Sequence, residues 1–192
     1  MDPERKEKLR EAVAEILSSV EGRTLNIVVL NKALFYLDLI ALRDFGKTVT
    51  DNTYIALKLG PVIAKYDKRI IEDLAKIGVI KQTEEENGAK PITLLKKTNS
   101  DHLTQAEIDL AHNIGKSFAE NITSSEASFF SHDNEGWKLA FAIGLGAGKP
   151  AHFIDMGIAL QQVIDDDPWM NEPVEAEILG KVCQPSAESE EW

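Results

Sequence analysis

A glycine-rich run that ends in lysine has the residue types for phosphate binding. It covers residues 144–150 and reads GLGAGKP. A P-loop requires a glycine five positions before its Gly-Lys pair and a serine or threonine after it. Those two positions hold Ile143 and Pro150. The run is therefore interpreted as a helix end followed by a turn, and it predicts no nucleotide site.

The candidate metal ligands and catalytic groups are scattered along the chain. No two of the four histidines are four residues apart, and the single cysteine is Cys183. Zinc sites normally need closely spaced ligand pairs. The acidic run 84–86 leads into the predicted hairpin turn and is interpreted as a solvated tip. The run 165–167 could suggest a cation site, but three consecutive side chains point in different directions, so a helix-terminal or loop run is favoured. With no nucleophile, base and orienting group to combine, the sequence predicts no catalytic residue, no cofactor and no metal.

The negative charge is concentrated at the C-terminal end. The 192 residues carry a net charge of −11, with 43% hydrophobic and 28% charged residues. Residues 165–192 hold nine acids and one base, which give −8 and leave −3 on residues 1–164. We expect one globular domain over 1–164 and an acidic, partly flexible extension over 165–192. The overall acidity argues against a protein held on nucleic acid by bulk charge.

The chain has the features of a soluble cytoplasmic protein. One cysteine excludes an internal disulfide framework and suits a reducing compartment. The N-terminus leads directly into a charged amphipathic pattern, unlike a secretory signal. The most apolar window, residues 25–42, contains Asn26, Asn31, Lys32 and Asp38. It therefore predicts a buried core helix rather than a membrane span.

Periodicity places these residues on a mainly α (α+β) fold. A helix over residues 5–20 precedes the central helix, 25–45, for which Thr24 is a plausible N-cap and Gly46 the stop. Residues 48–59 are expected to be extended. Gly60 then turns the chain, and Pro61 suits the first position of an amphipathic helix to residue 77. Four later helices begin near residues 103, 124, 137 and 155, and Thr123 with Glu126 fits a capping box at the second of them.

A small β-hairpin is predicted over residues 79–95. Asn87-Gly88, the dipeptide favoured in tight turns, separates its two apolar runs. Pro91 begins the second strand and predicts an edge position. The expected architecture is a compact helical domain around a buried central helix, with this hairpin attached.

A basic helix followed by a hairpin is also the order of a winged-helix DNA-binding module. Residues 58–97 contain nine Lys or Arg and six acids, a local +3. In this alternative, Lys65, Lys68 and Arg69 contact nucleic acid in a transcriptional regulator. The acidity of the whole chain favours an ordinary solvated helix face instead.

The order of several residues resembles the SocA-like, or Panacea, antitoxin domain family. The resemblance covers roughly residues 28–139 and rests on Asn31 to Tyr36 (NKALFY), Gly46, Thr50, Tyr54, Gly60-Pro61-Val62, Ser131-His132 and Trp137. It implies a non-enzymatic protein that neutralises a cognate toxin by protein–protein binding. Some members are encoded on phages or other genetic elements. Residues 165–192 do not belong to the recognised pattern.

The resemblance also implies a set of partners and leaves the mode of neutralisation open. One mode in the family is as a proteolytic adaptor that delivers the toxin to a cytoplasmic AAA+ protease, and another is direct binding. Self-association into a homo-oligomer stays open, and no membrane partner is expected. The absence of an added helix-turn-helix domain speaks against operator binding.

We hypothesise that six residues of this pattern contact the toxin. They are Lys32, Tyr36, Tyr54, Pro61, His132 and Trp137. A histidine near a tryptophan is typical of a binding hot spot. A large aromatic after a polar turn is equally typical of a cap packed on the core, and aromatics carry much of the core area. For Tyr36 and Trp137 the core interpretation is favoured.

Overall fold

One helix, α2 (Ile27–Phe45), occupies the centre of the protein. The structure is a computed structural model that describes residues 3–65, 71–121, 123–148 and 151–165. Asn26 caps α2 by accepting a hydrogen bond from the N–H of Val28. Gly46 ends the helix in the left-handed conformation, with its N–H donating to Leu42. Thr24, the predicted N-cap, instead lies in strand β1 (Thr24–Asn26).

Four helices surround α2 and bury it on nearly every side. They are α1 (Pro3–Ser18), α4 (Gln105–Asn121), α5 (Ser124–Asp133) and α7 (Met156–Asp165). A further helix, α6 (Glu135–Gly146), packs against α5 and α7. The apolar side chains of α2 that are fully buried include Leu30, Leu34, Phe35, Leu37 and Leu39. This arrangement explains why apolar residues occur all round the α2 sequence.

The strands form two small antiparallel sheets beside the helices. One sheet has the order β1-β5-β4, in which β4 is Ile80–Gln82 and β5 is Pro91–Leu94. The other is a hairpin of β2 (Tyr54–Leu57) and β3 (Gly60–Ile63). The predicted mainly α (α+β) class, with a buried central helix and a hairpin at residues 79–95, is confirmed.

The prediction that Pro61 begins a helix is wrong. Pro61 lies in strand β3, opposite Ala56 of β2. The next α-helix in the described residues is the short α3 (Asp73–Lys76). Residues 66–70, which belong to the predicted helix, lie outside the described residues. The Gly-Pro-Val-Ile sequence fits a strand because proline is accepted near the start of a strand, where its missing N–H removes little pairing.

The predicted edge position of Pro91 is also wrong. Its strand, β5, is the middle strand of the three and pairs with β1 and β4. Pro91 stands at the first position of β5, where its carbonyl accepts from the N–H of Thr83. Proline is tolerated in a central strand here because the first residue of the strand needs no N–H of its own.

Two buried carboxylates of α1 join it to α4 and the segment before it. Glu11 accepts from the N–H of His102 and lies 2.6 Å from the Nδ1 of the same residue. Glu15, one turn further, lies 2.6 Å from the Nε2 of His112 and accepts from the Ser100 hydroxyl. Charged groups that pair in this way remain compatible with a buried position.

In the part of the chain that the structure describes, no helix has the length and apolar character needed to cross a bilayer. The predicted boundary between a domain over 1–164 and an extension over 165–192 stays a prediction, because residues 166–192 lie outside the described part.

Candidate functional site

The turn between β2 and β3 is held by three helices through its backbone. Each bond joins a carbonyl oxygen of the turn or of an adjoining strand end to a side chain of a different helix, with donor and acceptor 3.2 Å apart. Trp137 Nε1 of α6 donates to Leu57 at the end of β2, Ser128 Oγ of α5 donates to Leu59 in the turn, and Lys32 Nζ of α2 donates to Pro61 in β3. The hairpin turn is thus fixed without using its own side chains.

Lys32 is one of the most deeply buried side chains of the protein. It is 1% exposed, and it reaches from the second turn of α2 to the carbonyl of Pro61. Burial penalises the ammonium form and lowers the pKa of Lys32 to about 7. A buried ammonium at this position is accepted only because a backbone acceptor meets it.

Gly60 provides the space into which the Lys32 side chain fits. Its φ of 106° lies in a region that favours glycine. A Cβ at this position would come within 2.6 Å of Lys32 Nζ, and still closer to the hydroxyl oxygen of Ser131. A side chain at position 60 would therefore strain the backbone and force Lys32 and Ser131 to shift where α2, α5 and β3 meet.

His132 and Trp137 form a stack of rings next to the hairpin turn. Their centroids are 4.2 Å apart, and Phe141 continues the stack 4.6 Å beyond Trp137. The His132 ring also makes a hydrogen bond to the backbone of Lys58. Burial, with the positive charge of Lys32 nearby, lowers the pKa of His132. The imidazole is therefore held mainly in its neutral form, which suits ring stacking.

A second buried polar cluster ties α2 to the segment before β2. Asp38 accepts from the backbone N–H groups of Val49 and Thr50, from the Thr50 hydroxyl and from the Tyr54 hydroxyl. Burial raises the pKa of Asp38 to about 6, although these donors act in the opposite direction. The Tyr54 hydroxyl also lies 2.9 Å from the carbonyl of Leu34. Burial, followed by the Asp38 charge, raises the pKa of Tyr54.

Of the six predicted partner-binding residues, four are buried and two are half-buried. Lys32, Tyr54, Pro61 and Trp137 lie in the interior, whereas Tyr36 and His132 are partly accessible. Lys32, Pro61, His132 and Trp137 meet at the hairpin turn. Tyr54 belongs to the Asp38 cluster, and Tyr36 lies edge-on to Phe35 and beside Phe118. Burial raises the pKa of Tyr36 to about 12.

The side chains at the tip of the hairpin turn are exposed, unlike those of the buried residues that hold it. Lys58 is exposed and Leu59 is 57% exposed. Phe129, which follows Ser128 in α5, is 72% exposed. We call Lys58, Leu59 and Phe129 the turn surface. An exposed leucine and phenylalanine on a rigid support are typical of a protein-binding patch.

Ser128, Leu59 and Phe129 were not predicted from the sequence. The sequence indicated the helix start correctly, since Thr123 and Glu126 form the predicted capping box. It contained no signal for which side of that short helix faces solvent. The acceptors at the hairpin turn are backbone carbonyls, which every residue type supplies.

The alternative nucleic-acid residues do not form a described site. Lys65 is exposed at the end of the described hairpin, and Lys68 and Arg69 lie outside the described residues. The winged-helix interpretation therefore stays a prediction. Among the described residues, no group of three or more His, Cys, Asp or Glu side chains is arranged to hold a metal ion.

Comparisons with known proteins add one positive finding. A family model described as "Antitoxin SocA-like, Panacea domain" matches residues 30–138. The match begins in α2 and ends in α6, so it includes the hairpin turn and all three of its donors. The comparison with curated proteins and the comparison with solved structures each found no match.

Proposed function

Because the matched span covers more than half of the chain, the protein belongs to the family of SocA-like antitoxins with a Panacea domain, and we propose that it neutralises a cognate toxin by protein–protein binding. The family indicates a non-catalytic role. In this proposal the toxin is either blocked directly or delivered to a AAA+ protease in the cytoplasm.

The observation that supports a binding role is the construction of the hairpin turn. Three helices each use one side chain, of which Lys32 and Trp137 are buried, to fix the backbone around Lys58 and Leu59, whose own side chains are exposed. A rigid support keeps the entropic cost of binding low, because the exposed groups are ordered before the partner arrives. The turn surface of Lys58, Leu59 and Phe129 is therefore the proposed contact with the toxin.

In this proposal, the six residues of the family pattern take different parts. His132 and Tyr36 are accessible enough to contact a partner themselves. The contribution of the buried residues is indirect, because the hydrogen bonds of Lys32, Pro61 and Trp137 fix the position of the hairpin turn. Tyr54 acts further away, through its hydrogen bond to Asp38.

The charge distribution suits a basic partner. Residues 1–100 contain 17 bases and 15 acids, a net charge of +2, whereas residues 101–164 contain eight acids and three bases, a net charge of −5. Complementary charge speeds association and helps to exclude wrong partners. A toxin with a basic surface would approach the acidic region 101–164 first, and this region contains α5 and α6.

Growth assays with the neighbouring genes test the proposal. Each open reading frame beside the gene is induced alone and together with this chain. We expect one of them to arrest growth alone and to be tolerated with the chain, and the two products to co-purify. If no neighbouring product is toxic, or if a toxic one is neither tolerated nor co-purified, the proposal is wrong.

Substitutions at the turn surface locate the contact. Leu59→Asp and Phe129→Asp are expected to abolish rescue and co-purification while the melting temperature stays unchanged, because both side chains are largely exposed. The matched control is Leu95→Asp, since Leu95 is 55% exposed just after β5 in the three-stranded sheet. Equal loss of binding in the control variant would exclude the turn surface as the specific contact.

A further inference from the structure

In the described part of the chain, the side of α6 that faces away from the core is apolar. From Leu139 to Gly146 the helix contains no polar or charged side chain. The inward side packs through Trp137, Ala140 and Gly144. Four side chains remain exposed, and we call them the α6 face: Leu139, Ala142, Ile143 and Leu145.

The α6 face brings three exposed large apolar side chains together on about two turns of one helix. Leu145 is 65% exposed, and Leu139 and Ile143 are each exposed by more than two fifths. Lys138 is the last charged residue of α6. Its salt bridges with Asp133 and Glu135 direct its ammonium group away from the α6 face. Contiguous apolar groups of this kind normally contact another apolar element.

The chain itself supplies a segment with the matching pattern. Val174, Ile178, Leu179 and Val182 have the i, i+4, i+5, i+8 spacing that places apolar side chains on one side of a helix. These residues lie outside the described part, and eight residues separate them from the end of α7 in the sequence. We propose that the segment 174–183 docks on the α6 face within the same molecule.

The chain between α7 and the segment 174–183 has a length that suits this contact. Helix α7 ends at Asp165, and it packs on α6 where Ala159 meets Gly136. The intervening residues 166–173 can span up to about 27 Å when extended, and the 12 residues of α6 are about 18 Å long. The connection is therefore longer than the helix that carries the α6 face, and it begins on a helix that packs against α6.

A segment of the same chain fits the α6 face better than a second copy does. A specific interface between proteins normally buries at least about 1,200 Å², which four side chains on one short helix do not supply. A tethered segment needs far less area, because its effective concentration near the face is on the order of millimolar. This contact needs no toxin, and it goes beyond the proposed function.

The single native cysteine allows a direct test in the full chain. Cys183 is the last residue of the segment, and a disulfide forms only where the Cα atoms approach within about 7 Å. Ile143→Cys places a second thiol on the α6 face, and Leu95→Cys places one at an exposed control site in the three-stranded sheet. Under mild oxidation at low protein concentration, we expect Ile143→Cys to form an intramolecular disulfide at least about tenfold faster than Leu95→Cys, since docking adds to the concentration set by the tether.

A second pair of variants separates docking from tethering. Added to Ile143→Cys, Ile178→Asp is expected to slow the disulfide to the rate of the Leu95→Cys variant, whereas Ala187→Asp, outside the apolar pattern, leaves it fast. Leu139→Cys repeats the measurement should Ile143→Cys disturb folding, as judged by circular dichroism. Equal rates at the two sites, no disulfide at the α6 face, or disulfides only between molecules would each overturn the proposal, the last by showing that the face joins two copies.

Discussion

The ammonium nitrogen of Lys32 lies 3.2 Å from the carbonyl oxygen of Pro61, and this bond joins the second turn of α2 to strand β3. It connects the most buried helix of the protein to the hairpin turn whose tip is exposed. We therefore expect a change in the protonation or the length of this buried side chain to affect the candidate binding surface.

The buried ammonium predicts a pH dependence of stability. The pKa of Lys32 is about 7 in the folded protein and ordinarily 10.5, so the unfolded chain binds more protons between these values. The contribution of Lys32 to stability is thus full above pH 10.5 and is lost as the pH falls to 7. Relative to Lys32→Met, wild-type protein should gain up to about 1.4 kcal/mol per pH unit between pH 7 and 9.5 in urea denaturation. A constant difference between the two proteins would contradict this assignment.

Gly60→Ala should be much more harmful than a comparable change at Gly88. Both glycines have positive φ, 106° and 80°, so both substitutions introduce backbone strain. At Gly88 the added methyl group meets no atom within 4 Å, whereas at Gly60 it meets Lys32 and Ser131. We expect the free energy of unfolding to fall by about 1 kcal/mol for Gly88→Ala and by about 3 kcal/mol for Gly60→Ala. Equal losses in chemical denaturation would show that the hairpin turn tolerates a side chain.

Asp38→Asn should destabilise the protein, and more so in acid. The amide nitrogen would face hydroxyl and N–H donors, which should cost about 2–4 kcal/mol. The pKa of Asp38 is about 6 in the folded state against an ordinary 3.8, so its contribution is full below pH 3.8 and is lost as the pH rises through 6. Denaturation at pH 4 and pH 7 should show the larger deficit of the variant at pH 4. A deficit that shrinks on acidification would argue that Asp38 is ionised throughout.

His102 should stabilise the protein more below neutral pH than above it. The hydrogen bond to Glu11 raises the pKa of His102, with smaller contributions from the Glu11, Glu7 and Asp101 charges. Its contribution is therefore full below pH 6.5 and is lost as the pH rises through the raised value. His102→Gln should lower the melting temperature at about pH 5.5 and have less effect at about pH 8.5. His152→Gln serves as the control, and the same pH trend in that variant would refute a specific role for the Glu11 contact.

The elements with strong local signals were predictable from the sequence. The apolar run of α2 with its glycine stop, the Asn87-Gly88 turn and the Thr123–Glu126 capping box each follow from chemistry within a few residues. The error at Pro61 arose because one residue suits both a helix start and a strand start. The pairing of Ala56 with Pro61 decided between them, and pairing depends on tertiary contacts.

The candidate site was predictable in part. The family pattern identified Lys32, Pro61, His132 and Trp137, which the structure brings together at the hairpin turn. It did not indicate that these residues bind the backbone of the turn while Leu59 and Phe129 face outward. Which side chain is buried and which is exposed is set by the packing of α5 against β3, and no periodicity over a two-residue turn reports this.

The way in which the hairpin turn is held has a consequence for how such a protein changes its target. Because carbonyl groups receive the bonds at Leu57, Leu59 and Pro61, the identities of the residues at 58 and 59 are not needed for folding. Randomising these two positions should produce a library of equally stable proteins that differ in the partner they select. The same scaffold would then be retargeted by exchanging two residues, without any new framework.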